Sequence, residues 1–344
     1  LTKLANITQQ IERRLPFQWN AAHTVLAVAI LVLALAFASV IKLELVVNGL
    51  FLGLIVALGA IGMTLVYGIL RFAHVAQGDF MTFGAYISFF LLGTLFPKIG
   101  MDSTGLGPFT FGYPLLIAIP ITAAALVCLA VLLDVAVYRR LRRRGVNLVV
   151  LAMASLGIAI ALRGLVQLIW GGGTEQLPRV SKYFYQLPMD VRIPPDNIFI
   201  GAVSLTLVVA LYLFLTRSKM GKAMRATADN PELARVSGIN TEHVIWWTWA
   251  IGAALAATAG VLLAVFQAQL FPIMGWRFLL PLFGAVVLGG VGNPYGALVG
   301  ALTIGVASEV STEWINPTYK PAVAFGIMIL VLLIRPRGIF GVRD

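Results

Sequence analysis

TRSKMGKAMRATADNPELARVSGINTE, residues 216–242, is a polar island between two apolar runs. Arg217, Lys219, Lys222 and Arg225 make its first half basic. Asn230-Pro231 has the grammar of a helix start: Asn caps, and Pro stands where a missing N–H costs nothing. Glu232 falls in the first turn, where a negative charge suits the helix dipole. Leu233, Ala234 and Val236 supply small and apolar contacts, and Gly238 closes the helix as a left-handed residue. Asn240 or Thr241 then caps the next helix, which enters the apolar run at Val244. The spacing predicts a short helix over 231–237, roughly 10 Å long at 1.5 Å per residue. A connection with this much punctuation is built to transmit force to a soluble partner.

Working outward, the 344 residues are 60% hydrophobic and 11% charged. A soluble domain carries about 25% charged residues, so the composition predicts an all-α polytopic membrane protein. The net charge of +11 does not indicate nucleic acid, because the basic residues sit in short loops between apolar spans. The single cysteine, Cys128, lies in an apolar run and excludes an internal disulfide.

Upstream, 1–22 is a polar, mildly basic segment that could lie on a membrane as an amphipathic helix. The first apolar run, 23–40, lacks a small-residue cleavage site and reads as a retained helix rather than a signal peptide. A second span, 45–70, is long enough to tilt across a hydrocarbon core of about 30 Å. It breaks at 71–86 and resumes as an apolar span to 96. Further spans are expected at 113–138, 146–170 and 197–215. The run 138–145, YRRLRRRG, is the densest charge cluster, and the positive-inside rule places it in the cytoplasm. By parity, 171–196 is external and 216–242 returns to the cytoplasmic side.

Downstream, a span over 244–270 carries Gly252, Ala256 and Gly260 at every fourth residue, a close-packing stripe. The glycine-rich stretch 284–305, with Gly290, Gly292, Asn293-Pro294 and Gly296, predicts two short helices, 278–288 and 295–308, joined by a turn near the inner face. A last span, 322–334, ends at RPRG. This makes about ten transmembrane or half-membrane helices in one domain, 23–335. Both termini, including the 336–344 tail, are then cytoplasmic.

No constellation for catalysis emerges. The three histidines are scattered, no metal-ligand spacing occurs, and no G-x-x-x-x-G-K-[ST] loop is present to cradle a phosphate. Ionisable residues within spans are functional candidates. Asp134 and Glu309 lie near span ends and can reach water there. Arg163 lies deeper, where it either pairs with a neighbouring helix or faces a passage. His74, Gln77, Gly78 and Asp79 fall in the break after the second span, where they either bond neighbouring backbone or line a pathway.

Three stretches carry a family resemblance over about 48–341: FAHVAQGDFMTFGAY (72–86), GKAMRATADNPELARVSGIN (221–240) and AVVLGGVGNPYGALVGA (285–301). They resemble signatures of the branched-chain amino-acid permease family of bacterial ABC importers, most of all its LivH-type subunits. The second match is the most specific, because it sets Gly221, Arg225, Asn230, Ala234, Gly238 and Asn240 together. Two residues depart from the family's pattern: His74 where it usually has Asn, and Gln77 where it usually has His. The resemblance implies a multi-pass subunit of the bacterial inner membrane that carries branched-chain, hydrophobic or neutral amino acids. It implies that Gly221, Arg225, Asn230, Pro231, Ala234, Gly238 and Asn240 form a coupling helix. It further implies a second permease, identical or homologous, two ABC ATPases holding ATP and Mg, and a periplasmic or extracellular binding protein. No cofactor is then expected in this chain. Family members for urea or short amides are the nearest alternative in substrate. A self-sufficient channel or secondary transporter is the alternative in class, and it needs its own coupling or selectivity site near mid-membrane.

Overall fold

The run that opens at Leu43 has neither proline nor charge after Glu44, and in the computed structural model it forms one helix, α1 (Leu43–Leu70). The structure describes residues 42–101, 106, 108–177, 185–187, 191–335 and 338–340. The expected first span, 23–40, and the polar lead before it lie outside the described residues. After α1 come α2 (Gln77–Lys98, with a π turn at Leu91–Leu95), α3 (Pro114–Arg143, with a π turn at Asp134–Tyr138) and α4 (Leu148–Trp170). A small antiparallel hairpin, β1 (Tyr185–Leu187) with β2 (Val191–Ile193), precedes α5 (Pro195–Arg217). The remaining helices are α6 (Lys219–Asp229), α7 (Pro231–Val236), α8 (Thr241–Gln267), α9 (Met274–Gly289), α10 (Pro294–Val310) and α11 (Lys320–Ile334).

Burial sorts these helices into a centre and a rim. In the most apolar stretch of α1 83% of residues are buried, and 78% in that of α8, against 28% for α3, 22% for α5 and 6% for the segment holding α11. The rim helices are nevertheless apolar all round, with Leu132, Leu168 and Leu333 exposed. A helix of that kind meets lipid rather than water.

Between apolar helices in lipid, close backbone approach supplies the packing energy. Gly49 and Gly53 of α1 lie against Val306 and Leu302 of α10, so that an added Cβ would stand 2.6 Å and 2.9 Å from their Cα atoms. Gly260 of α8 lies on the Met81 carbonyl, Gly252 faces Gly62, and Gly296 of α10 lies on the Gly289 carbonyl. The turn between α9 and α10 places Gly290 at φ 99° and Gly292 at φ 89°, conformations that a side chain resists.

Five contacts define one end of the bundle. Arg139 pairs with Glu242 at 3.1 Å, and the Arg71 guanidinium donates to the Ala228 carbonyl. Gly292 N donates to Thr64 Oγ1 at 2.9 Å, and Ile339 N and Phe340 N donate to the carbonyls of Leu288 and Gly289. The arginine-rich end of α3, the α6–α7 pair, the glycine turn and the 338–340 tail therefore share one face. The opposite end holds the Lys42–Glu313 pair, 2.8 Å, and the Glu175–Leu270 bridge.

Several boundaries differ from the sequence reading. The run 138–145 is helical through Arg143, because α3 continues through its π turn and stops only at Gly145, φ 63°. The segment 219–229 is a helix of its own, with Ser218 Oγ accepting from Gly221 N at 2.8 Å as its cap.

Candidate functional site

Two constellations concentrate the polar chemistry of the bundle. The first is the helix pair at the basic end. In α6, Gly221, Met224 and Thr227 face inward at helical spacing, while Lys222 and Arg225 face out. Gly221 lies directly on Phe214 and Leu215 at the end of α5, an approach that a larger residue would block. The chain then turns at Asn230, whose Oδ1 accepts from Glu232 N at 3.1 Å and Leu233 N at 3.0 Å. Ala234 of α7 is buried, and its carbonyl accepts from Ile239 N at 3.0 Å. Gly238 stands at φ 84°, and Asn240 Oδ1 accepts from His243 N at 3.1 Å to start α8. The pair is thus held at each joint by a cap or a close contact.

Its outer surface combines two properties. Leu233 and Val236 are 63% and 86% exposed, beside the exposed Pro231, Glu232 and Arg235 of the same helix. In the same segment Arg217, Lys219, Lys222, Arg225 and Arg235 are exposed, as are Asp229 and Glu232, and none of these seven is in an ion pair among the described residues. Two exposed apolar side chains on a capped helix in a segment of net positive charge leave this surface open to contact with another molecule.

The second constellation lies where α1 ends. Arg71, at φ 59°, reverses the chain, and 72–76 dips back among the helices. His74 is fully buried in a cage of Phe72, Phe80, Tyr138 and Trp249, with the Trp249 ring 5.0 Å away edge-on. Gln77 Nε2 donates to the carbonyls of Gly59 and Gly252, at 3.2 Å and 3.4 Å. Its Oε1 is therefore the acceptor for His74, so the Nδ1–H of the imidazole donates at 3.1 Å. One amide thus ties α1, α8 and the break together. We expect Gln77→Leu to destabilise the detergent-solubilised protein by about 1–3 kcal/mol through the orphaned imidazole donor; an unchanged melting curve would contradict this role.

One turn further, Asp79 receives two bonds from Arg163, Nε and Nη2 each at 3.1 Å. The same guanidinium stacks 4.6 Å over the Trp276 ring of α9. Gly78 and Gly275 meet backbone to backbone beside it, and Gly275 N donates to Thr82 Oγ1 at 2.9 Å. All five residues suspected of lining a pathway, His74, Gln77, Gly78, Asp79 and Arg163, thus fall in one cluster of inter-helix contacts. Composition showed Arg163 but gave no partner, since Asp79 lies 84 residues away. Nor are Asp134 and Glu309 water-reaching ends: both are buried and paired. Asp134 accepts from Arg142 at 2.7 Å and from Trp249 Nε1 at 2.8 Å, and Lys320 donates to Glu309 at 2.6 Å.

Membrane-length apolar helices, with Asp79, Asp134 and Glu309 paired inside the bundle and an exposed, capped helix pair at its basic end, have the architecture of a multi-pass membrane protein. The family described as "Branched-chain amino acid transport system / permease component" matches residues 45–332. The chain is 36% identical over 305 residues to the high-affinity branched-chain amino acid transport system permease protein BraD of Pseudomonas aeruginosa, covering 87% of this chain and 95% of that one. It is 34% identical over 300 residues to the Escherichia coli permease LivH, covering 86% and 94%, and 28% identical to LivM of the same organism, covering 91% and 73%. This chain belongs to the branched-chain amino acid permease family.

Proposed function

We propose that this chain is a translocation subunit of an ATP-driven importer of branched-chain or other neutral amino acids in the inner membrane of a bacterium. The observation that carries the reading is the α6–α7 patch. ATPases that close on binding nucleotide would seat Leu233 and Val236 in an apolar groove, with the surrounding lysines and arginines meeting acidic rims. The nucleotide and its Mg would sit wholly on those partners, because this sequence has no phosphate loop.

The packing supplies a route for the stroke. Movement of α7 passes through the Asn240 cap into α8. It then passes from Gly252 and Gly260 of α8 to Gln77 and Met81 of α2. ATP binding would favour one arrangement of the bundle and hydrolysis the other, a population shift driven from another subunit. A second permease, a copy of this chain or a LivM-like one, would complete the passage, and an external binding protein would deliver the amino acid. The positive-inside rule puts the α6–α7 end, with the 338–340 tail, in the cytoplasm.

The test is Leu233→Glu with Val236→Glu in cells carrying the whole system. Both positions are exposed, so membrane levels should match the unaltered chain while leucine uptake and co-purification of the ATPases are lost. Normal uptake in that variant removes the coupling role. Purification of the intact chain with no ATPase attached returns the reading to a self-sufficient channel.

A further inference from the structure

The end of α3 carries five arginines in the six positions 139–144, and the structure divides them. Arg139 pairs with Glu242 at 3.1 Å and Arg142 with Asp134 at 2.7 Å. These two contacts pin the last turn of the helix to α8 and to its own π turn, and they occupy both carboxylates. Arg140, Arg143 and Arg144 are exposed and in no ion pair among the described residues. The outward side of α3 below them is apolar. Leu132, Ala136, Arg140 and Arg144 fall every fourth residue and are all exposed, Leu132 at 64%; Val135 is exposed beside them. Past the Gly145 turn, Leu148 and Val149 of α4 are exposed again, at 49% and 61%. Three unmatched cations, fixed on a pinned helix end, therefore stand between two outward-facing apolar flanks. On α7, exposed apolar and basic residues are intermixed; here the apolar surface ends where the charge begins. That order, charge above and hydrocarbon below, is the order of a phospholipid.

We propose that Arg140, Arg143 and Arg144 form a headgroup site for an anionic phospholipid of the cytoplasmic leaflet. The guanidinium groups donate to its phosphodiester oxygens, and its acyl chains lie along Leu132, Val135 and Ala136. Three unmatched cations within about one turn exceed the charge of one phosphodiester. The occupant is therefore a lipid with two, of the diphosphatidylglycerol type. A zwitterionic lipid brings its own cation to the arginines and is disfavoured there. The site does not depend on what the chain transports, because none of its residues belongs to the α6–α7 pair.

The chain supplies its own reporter. Cys128, its single cysteine, is exposed four residues before Leu132 on the same stripe. It lies about 18 Å along the helix from Arg140 at 1.5 Å per residue, a depth that meets the middle of an acyl chain. A bimane fluorophore on Cys128 of the full-length chain in nanodiscs is quenched by whichever lipid, brominated at mid-chain, lies against it. Brominated diphosphatidylglycerol should reach half-maximal quenching at a mole fraction at least about fivefold below that of brominated phosphatidylcholine, the effect of even one arginine at an anionic surface. Arg140→Gln with Arg143→Gln and Arg144→Gln should abolish the difference, and lysine at the same three positions should keep most of it. Lys219→Gln with Lys222→Gln and Arg225→Gln removes as much charge from the same end of the bundle and should leave the preference in place. A preference that survives the glutamine variant, or that is lost equally in the α6 variant, overturns the site. Equal quenching by the two lipids in the unaltered chain overturns it with no variant needed.

Discussion

Replacing Arg163 by leucine is expected to cost about 3–5 kcal/mol of stability, because it strands a buried carboxylate. Asp79 is 1% exposed and receives two bonds from Arg163; among the described residues no other cation pairs with it. The stacking contact of the guanidinium with Trp276 is lost in the same change, so α9 loosens from α4. The double variant Asp79→Leu with Arg163→Leu removes both charges and should recover most of the loss, since a buried pair contributes little beyond an apolar pair of similar size. Melting of the purified protein in detergent measures both effects. Uptake then separates the two roles that the sequence left open for these residues. If the pair is a strut, the double variant transports; if it lines the passage, the double variant is stable and inactive. A single Arg163→Leu variant that melts like the unaltered chain refutes the strut outright.

Gly275→Val should be the more severe change, with a loss above about 4 kcal/mol and little protein reaching the membrane. A Cβ at this position would fall onto the Gly78 carbonyl and 2.6 Å from Thr82 Oγ1, and neither neighbour can withdraw: one is backbone, the other accepts the Gly275 N–H. Gly326→Val in α11 is the matched control, because a Cβ there meets nothing within 4 Å. Membrane levels by immunoblot and size-exclusion profiles distinguish the two variants. Equal levels for both would mean that the α2–α9 contact bears none of the packing assigned to it.

Much of the architecture was legible from local pattern. The spans from Leu43 onward declared themselves by unbroken apolar length, and the glycine-rich break resolved into two short helices as its punctuation implied. The caps at Asn230 and Asn240 and the left-handed turn at Gly238 were readable because each depends on residues within four positions of one another. The helix over 219–229 was hidden, since its lysines and arginines read equally as a solvated loop until Met224 and Thr227 are seen to be buried. The fate of Asp134 was hidden too. Its position at a span end suggested water, but the π turn of α3 swings it onto Trp249 from α8.

The sequence by itself determined that the chain is an apolar helical bundle with one strongly basic end and a capped, rigid helix there, because hydropathy, charge and capping are properties of contiguous residues. Only the tertiary structure decided that Asp79 belongs to Arg163, that Gln77 binds two helices at once, and that two of the five arginines at 139–144 are tied to carboxylates while three are left outward. In lipid the helices associate through small residues and close backbone contact, and one glycine face fits many others. Which face meets which is settled by the whole bundle, and with it which charges find partners.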